Sequence, residues 1–211
     1  MLLIGAPGAG KGTQAHRIAA QFGLARIATG ELLREQVAAG SELGRRARAY
    51  MDRGDLVPDE LVIQLTRDRI VKASAEGGYV LDGYPRTLGQ AEAAYRWAKA
   101  RRVALDLALY FETGQQELLA RLVGRARTEG RGDDTEATMR HRLEVFATRT
   151  LPLVDYYQRR GILIRIDANG PVDAVTEQIL AELHRHQRNV VAGGSERPKP
   201  GSTDGGLGSV P

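Results

Sequence analysis

MLLIGAPGAGKGTQ, residues 1–14, runs from apolar residues directly into a glycine-rich loop that carries one lysine. Leu2, Leu3 and Ile4 read as a short buried strand, Gly5 to Gly10 as a loop almost without side chains, and Thr13 onward as the opening of a helix. Such a loop is built to cradle phosphate. Gly5, Gly8, Gly10 and Gly12 leave successive backbone N–H groups open to an anion, the helix start contributes the positive end of its dipole, and Lys11 adds a point charge.

The spacing from Gly5 through Gly10 to Lys11 matches GxxxxGK of the P-loop, and the following residue departs from it. Where a generic P-loop places Ser or Thr to hold Mg²⁺, this chain has Gly12, with Thr13 after it. Mostly water-mediated Mg²⁺ is then the expectation, in keeping with the reluctance of that ion to dehydrate.

The rest of the chain alternates strands with helices. A helix over Thr13–Phe22 ends at Gly23, a strand covers Ala25–Ala28, and Thr29 is placed to cap the next helix. Ser41–Arg53 predicts a polar helix, and Asp59 a cap for the one after it, so that 29–58 has the character of an appended helical flap poor in core residues. Tyr79–Leu81 forms a strand ending at Asp82, and the glycine and proline of the GYPR that follows force a turn. Further strands are expected over Leu105–Phe111 and Ile162–Ile166, with a helix from Gln115 to about Arg125. A longer helix bearing Met139, Leu143, Phe146, Thr150, Leu153 and Tyr157 on one face should be kinked by Pro152, and a terminal helix should have Pro171 in its first turn. The fold class is therefore α/β, a doubly wound parallel sheet of about five strands. Ligands belong at the carboxyl ends of those strands, where Gly5, Thr29 and Asp82 all fall. Asp82, at a strand end beside the loop, is placed to hold metal through water, and Pro85 aims the bidentate donor Arg86 into the same crevice.

At 211 residues the chain suits one domain over 1–188, followed from about Asn189 by a Gly, Pro and Ser-rich tail, 189–211, expected to be disordered. Thirty Lys plus Arg against twenty-six Asp plus Glu leave a net charge of +4. No cysteine is present, so a disulfide framework or a thiolate zinc site is excluded. No apolar run approaches the ~20 residues of a membrane span, and no signal peptide is recognisable, so a cytoplasmic protein without membrane partner is expected. The basic balance raises nucleic acid as a partner, yet no DNA or RNA module is present and aromatic content is 5%.

GAPGAGKGTQA, ATGELLR, LVPDE, LDGYPRTLGQA, LVGR and the segment from GRGDD to RHRL, in this order, resemble the adenylate kinase family over about Met1–Leu183. The resemblance implies phosphoryl transfer between ATP and AMP, with ADP as product, Mg²⁺ as cofactor and a monomer. By residue it implies a donor site of Gly8, Ala9, Gly10, Lys11, Gly12, Thr13, Arg121 and Arg125. It implies an acceptor site of Thr29, Arg34, Val57, Gly83, Arg86 and Gln90, in which Arg34 and Arg86 grip phosphate and Gln90 reads adenine. Lys11, Arg86, Arg131 and Arg142 are the catalytic set it implies, with Asp133 and Asp134 orienting the last two arginines. Only TEG separates Arg127 from Arg131, which matches the short-lid form, with a lid over about 125–134. Arg127 and Arg140 are assigned to ordinary solvated pairs. A UMP/CMP kinase of the same family and a nucleotide-binding regulator without turnover are the alternatives; Thr87 followed by Gln90 leans towards adenine.

Overall fold

The computed structural model describes residues 1–129 and 135–193, with Val123, 125–129 and 190–193 described for backbone only. Five strands form one parallel sheet: β1 (Leu2–Gly5), β2 (Ala25–Ala28), β3 (Tyr79–Asp82), β4 (Ala108–Glu112) and β5 (Leu163–Asp167), in the order β2-β3-β1-β4-β5. The expected doubly wound architecture is present. Because side chains alternate along each strand, Leu2, Ile4 and Leu81 enter one hydrophobic core while Leu3, Val80, Leu109 and Phe111 enter another on the opposite face.

Helices cover both faces. α1 (Lys11–Phe22) and α9 (Val172–Gly193) close the second core through Ile18, Val175, Ile179 and Leu183. α4 (Asp59–Ala75), α5 (Leu88–Ala100) and α8 (Pro152–Arg159) cover the first. Between β2 and α4 stand α2 (Thr29–Ala38) and α3 (Glu42–Arg53). The insert is poor in core residues, as expected; Leu33, Ala47 and Val57 are its buried hydrophobic residues, and they join the first core. α6 (Gln115–Glu129) and α7 (Glu136–Val145) complete the element set.

Three local expectations are corrected. Thr29 and Asp59 are first helical residues, and Ala28 and Pro58 take the cap positions. The Thr29 hydroxyl is used instead on the Asp82 carbonyl (3.2 Å) and the Asp59 carboxylate on Gln90 (2.5 Å), tertiary bonds that compete with local capping. Ahead of Pro152 the helix does not simply kink: Phe146–Thr150 is a π-helical turn, and Pro152 opens α8, where its missing N–H is harmless. Pro171 precedes α9, which begins at Val172 and runs to Gly193, beyond the expected start of the tail at Asn189; residues 194–211 lie outside the described residues. Among the described residues no helix is long and apolar enough to cross a membrane.

Candidate active site

β1 is the central strand, paired with β3 on one side and β4 on the other. Leu3 sits opposite Asp82, so the loop after β1 and the GYPR turn after β3 leave the same end of the sheet side by side. The glycine loop is held by local geometry: Gly8 and Gly10 take φ of 86° and 85°, and Gly10 caps α1 without a side-chain bond. A β-carbon on Gly8 would meet Leu122 Cγ at 3.1 Å and the Leu118 carbonyl at 3.2 Å, so the loop is pressed onto α6. The first N–H groups of α1 consequently point out of a loop with no side chain to satisfy them, the arrangement suited to phosphate oxygens. Lys11 folds back over the loop, its ammonium donating to the carbonyls of Gly5 (2.8 Å) and Ala6 (2.9 Å). Arg121 reaches the same loop from α6: its guanidinium passes 3.7 Å from where a Gly10 β-carbon would stand and is held by Glu117 (2.7 Å) and the Gly170 carbonyl (3.0 Å).

Opposite the loop, three arginines from three elements converge. Arg86 leaves the turn after β3, with its Nε donating to the Gly83 carbonyl at 2.8 Å. Its side chain touches solvent, yet dense protein surrounds it beyond that contact, and this desolvation lowers the guanidinium pKa, opposed by Asp82 and assisted by the positive charges of Arg142 and Arg34. Arg34 comes from α2, beside Gly30, and Arg142 from α7, where it donates to the Met51 carbonyl at 3.3 Å. Like charges drawn together in this way repel one another, which a multiply charged anion relieves. Gly83, at φ 90°, permits the packing: a β-carbon there would stand 2.5 Å from the Thr29 hydroxyl and 3.1 Å from Arg86 Nη2.

Gln90 is buried under this cluster with both ends of its amide engaged. Its oxygen accepts the Arg86 backbone N–H (2.6 Å), and its nitrogen donates to Asp59 (2.5 Å), which fixes which end is which. Each of these bonds uses one of the two protons or one of the two lone pairs. Val57 is a packed apolar wall, 7% exposed, and Thr29 is buried beside Asp82.

Comparison with known proteins agrees with this geometry. The model of the adenylate kinase family matches residues 3–162. The chain belongs to the adenylate kinase family. It is 48% identical over 185 residues to the adenylate kinase of Kocuria rhizophila, covering 88% of this chain and 98% of that protein. To the adenylate kinase of Thermobifida fusca it is 45% identical over 183 residues, 87% and 97% of the two chains, and to that of Synechococcus 48% over 183 residues, again 87% and 97%.

For this adenylate kinase family member the structure brings together Lys11, Asp82, Arg86, Arg34, Arg142, Gln90 and Arg121. The side chains of Arg125 and Arg127, and Arg131, Asp133 and Asp134, lie outside the described residues, as do residues 130–134 of the expected lid; its residues 125–129 belong to α6. Arg140 forms an exposed pair with Glu136 one turn away, 2.9 Å. Sequence reasoning missed the residues that support the site. Asp59 and Glu117 orient Gln90 and Arg121, and Thr150, at the end of the π turn, donates its hydroxyl to the Arg86 carbonyl at 2.9 Å. Asp55 meets His141 at 2.9 Å, which joins the insert to α7; the bond to His141, then Arg53, holds the Asp55 carboxyl below the usual carboxylate range. Only Pro152 gave a signal, marking an irregular helix near Thr150.

Proposed function

We propose that this chain catalyses reversible transfer of the γ-phosphoryl group of ATP to AMP, giving two ADP. The observation that carries this reading is the convergence of Arg34, Arg86 and Arg142 on one crevice that faces a glycine-rich, Lys11-bearing loop. One anion-binding element suits a nucleotide-binding protein of any kind. Two facing each other suit a donor and an acceptor that both carry phosphate.

In this reading the loop amides, Lys11 and Arg121 hold the donor phosphates, and Arg34 and Arg86 hold the acceptor phosphate. Arg125 joins the donor site, and Arg142, with Arg131, stabilises the transferring group. Gln90 presents its remaining amide proton and lone pair to adenine. The acceptor phosphate, with a second pKa of roughly 6, is already a nucleophile near neutral pH, so no catalytic base is required. The residues position the two phosphates, neutralise a loose transition state and keep water out.

Asp82 fits Mg²⁺ held through water. Its Oδ2 lies 3.9 Å from where a Gly12 β-carbon would stand, so the glycine leaves a gap between carboxylate and helix start, and among the described residues no group of three or more His, Cys, Asp or Glu could hold a metal ion. One carboxylate beside two phosphate sites is the usual setting for that ion, which when bound supplies positive charge against the phosphate oxygens. We further propose that the protein works as a cytoplasmic monomer.

The test is a coupled assay at fixed ATP with AMP, CMP, UMP and GMP varied. AMP-dependent ADP formation, with AMP preferred, is the expected result. Purified protein that forms no ADP from AMP and ATP rules the reading out, and preference for a pyrimidine monophosphate replaces it by the UMP/CMP kinase assignment.

A further inference from the structure

Behind the GYPR turn, on the face of the sheet covered by α4, α5 and α8, lies a cavity of about 340 Å³ that plays no part in the phosphate site. Its walls are apolar: Ile70, Leu81, Tyr84, Ala91, Ala94 and Trp97 contribute, and the α5 alanines make the room. This volume is at the lower end of the ~300–1,000 Å³ of small-ligand pockets, and at about 30 Å³ per water-sized group it holds roughly eleven non-hydrogen atoms.

The charged residues that line it have one sign. Arg67 and Arg160 are both exposed, hence at its solvent side, and no Asp or Glu takes part in the lining. Both guanidinium groups are held by aromatic rings. Arg67 stands 5.3 Å from the Trp97 ring centre, and Arg160 lies 3.7 Å from that of Tyr95 and 4.5 Å from that of Tyr156. Neither belongs to an ion pair among the described residues. Rings fix the orientation of each guanidinium; Arg160 also hydrogen-bonds the Tyr95 hydroxyl, and its remaining edge N–H donors are available to a ligand.

We infer that this cavity binds an apolar monocarboxylate of medium length, with its hydrocarbon body between α4 and α5 and its carboxylate on the guanidinium of Arg160. A planar two-oxygen head suits the arginine fork, whereas a nucleotide would find no amide cradle here. A neutral ligand would leave both cations unmatched. The inference does not depend on the reaction proposed above.

Trp97 is the single tryptophan of the chain and lines the cavity, so its emission reports occupancy directly. The full-length protein is titrated with butyrate, hexanoate, octanoate and decanoate below their micellar concentrations, and with 1-octanol and octyltrimethylammonium. Saturable one-site binding is expected, tightening about fourfold per added methylene until the cavity is full. Octanol should bind at least ~10-fold more weakly than octanoate, from loss of the charge-assisted bonds, and the cation should not bind. Arg160→Met should weaken octanoate to about the octanol level and leave octanol unchanged, and Ala94→Phe should abolish both while AMP-dependent ADP formation persists. Non-saturating partition, equal binding of octanoate and octanol, unchanged octanoate affinity in Arg160→Met, or undiminished binding in a folded Ala94→Phe overturns the inference. Arg160 is exposed, so its substitution remains informative even where the cavity-filling variant does not fold.

Discussion

Replacing Gly83 by alanine tests whether the acceptor site depends on one missing side chain. The backbone at Gly83 has φ of 90°, a conformation that costs an L residue about 1–2 kcal/mol. The added carbon would also stand 2.5 Å from the hydroxyl of Thr29, which is 2% exposed. Threonine is stiff about its first side-chain torsion, so relief comes mainly by giving up its bond to the Asp82 carbonyl, worth about 1 kcal/mol. The two costs sum to about 2–3 kcal/mol, a fall in Tm of roughly 5–10 °C for a chain of this size. The same carbon stands 3.1 Å from Arg86 Nη2, and displacing a phosphate-gripping group on that scale should lower kcat/KM for AMP by about 100-fold. Thermal unfolding and the coupled ADP assay read the two effects. Gly89→Ala, six residues on, where an added carbon meets nothing within 4 Å, is the matched control and should be neutral or stabilise by about 0.4–1 kcal/mol. A Gly83→Ala protein with Tm within ~2 °C and kcat/KM within ~3-fold of the parent refutes the reasoning.

Arg86→Ala should reduce turnover by at least ~10² while the fold is retained, as judged by circular dichroism; an unchanged rate rejects its assigned role. Asp59→Ala removes the carboxylate that orients Gln90, so KM for AMP should rise about tenfold with a smaller change in kcat, and KM for ATP should stay constant. At Gly44, on α3, any β-carbon would overlap the Gln36 carbonyl of α2, so Gly44→Ala should lower stability by about 3 kcal/mol in denaturant titration. Asp55 has a depressed carboxyl pKa in the folded chain, so its contribution is present above the unfolded value of 3.8 and lost as pH falls through the folded one. The Tm of Asp55→Asn should therefore lie below that of the parent at pH 5 and converge with it in strong acid; parallel curves throughout would contradict the bond to His141.

The sheet was legible because short apolar runs bounded by glycine, proline and aspartate carry both its period and its ends. β2 and β3 coincide with the expected residues. β4 begins at Ala108 where Leu105 was expected; Asp106 interrupts the apolar run LDLALYF and marks the boundary that the expectation passed over. The charged residues of the crevice were legible as well, because they are fixed in spacing to glycines and placed near strand ends. Their supports were not. Asp59 reads as a helix cap and Thr150 as an ordinary helical threonine, since the bonds that define them join segments far apart in the chain. The π turn leaves no mark in a 3.6-residue pattern beyond the proline that follows it.

The position of β1 in the sheet has a consequence for how the chain comes into being. Of the five strands of this sheet, the earliest to leave a ribosome is the one at the centre, and its partners are Leu81 and Asp82 on one edge and Ala108 to Phe111 on the other. The hydrogen bonds that flatten β1 and aim its loop are thus completed only when the second half of the chain exists. Until then the segment that reads most clearly as a binding site is a greasy tetrapeptide followed by a flexible string of glycines. The nucleotide site is a late event in the life of the molecule, although its loop is written ahead of the strands that hold it.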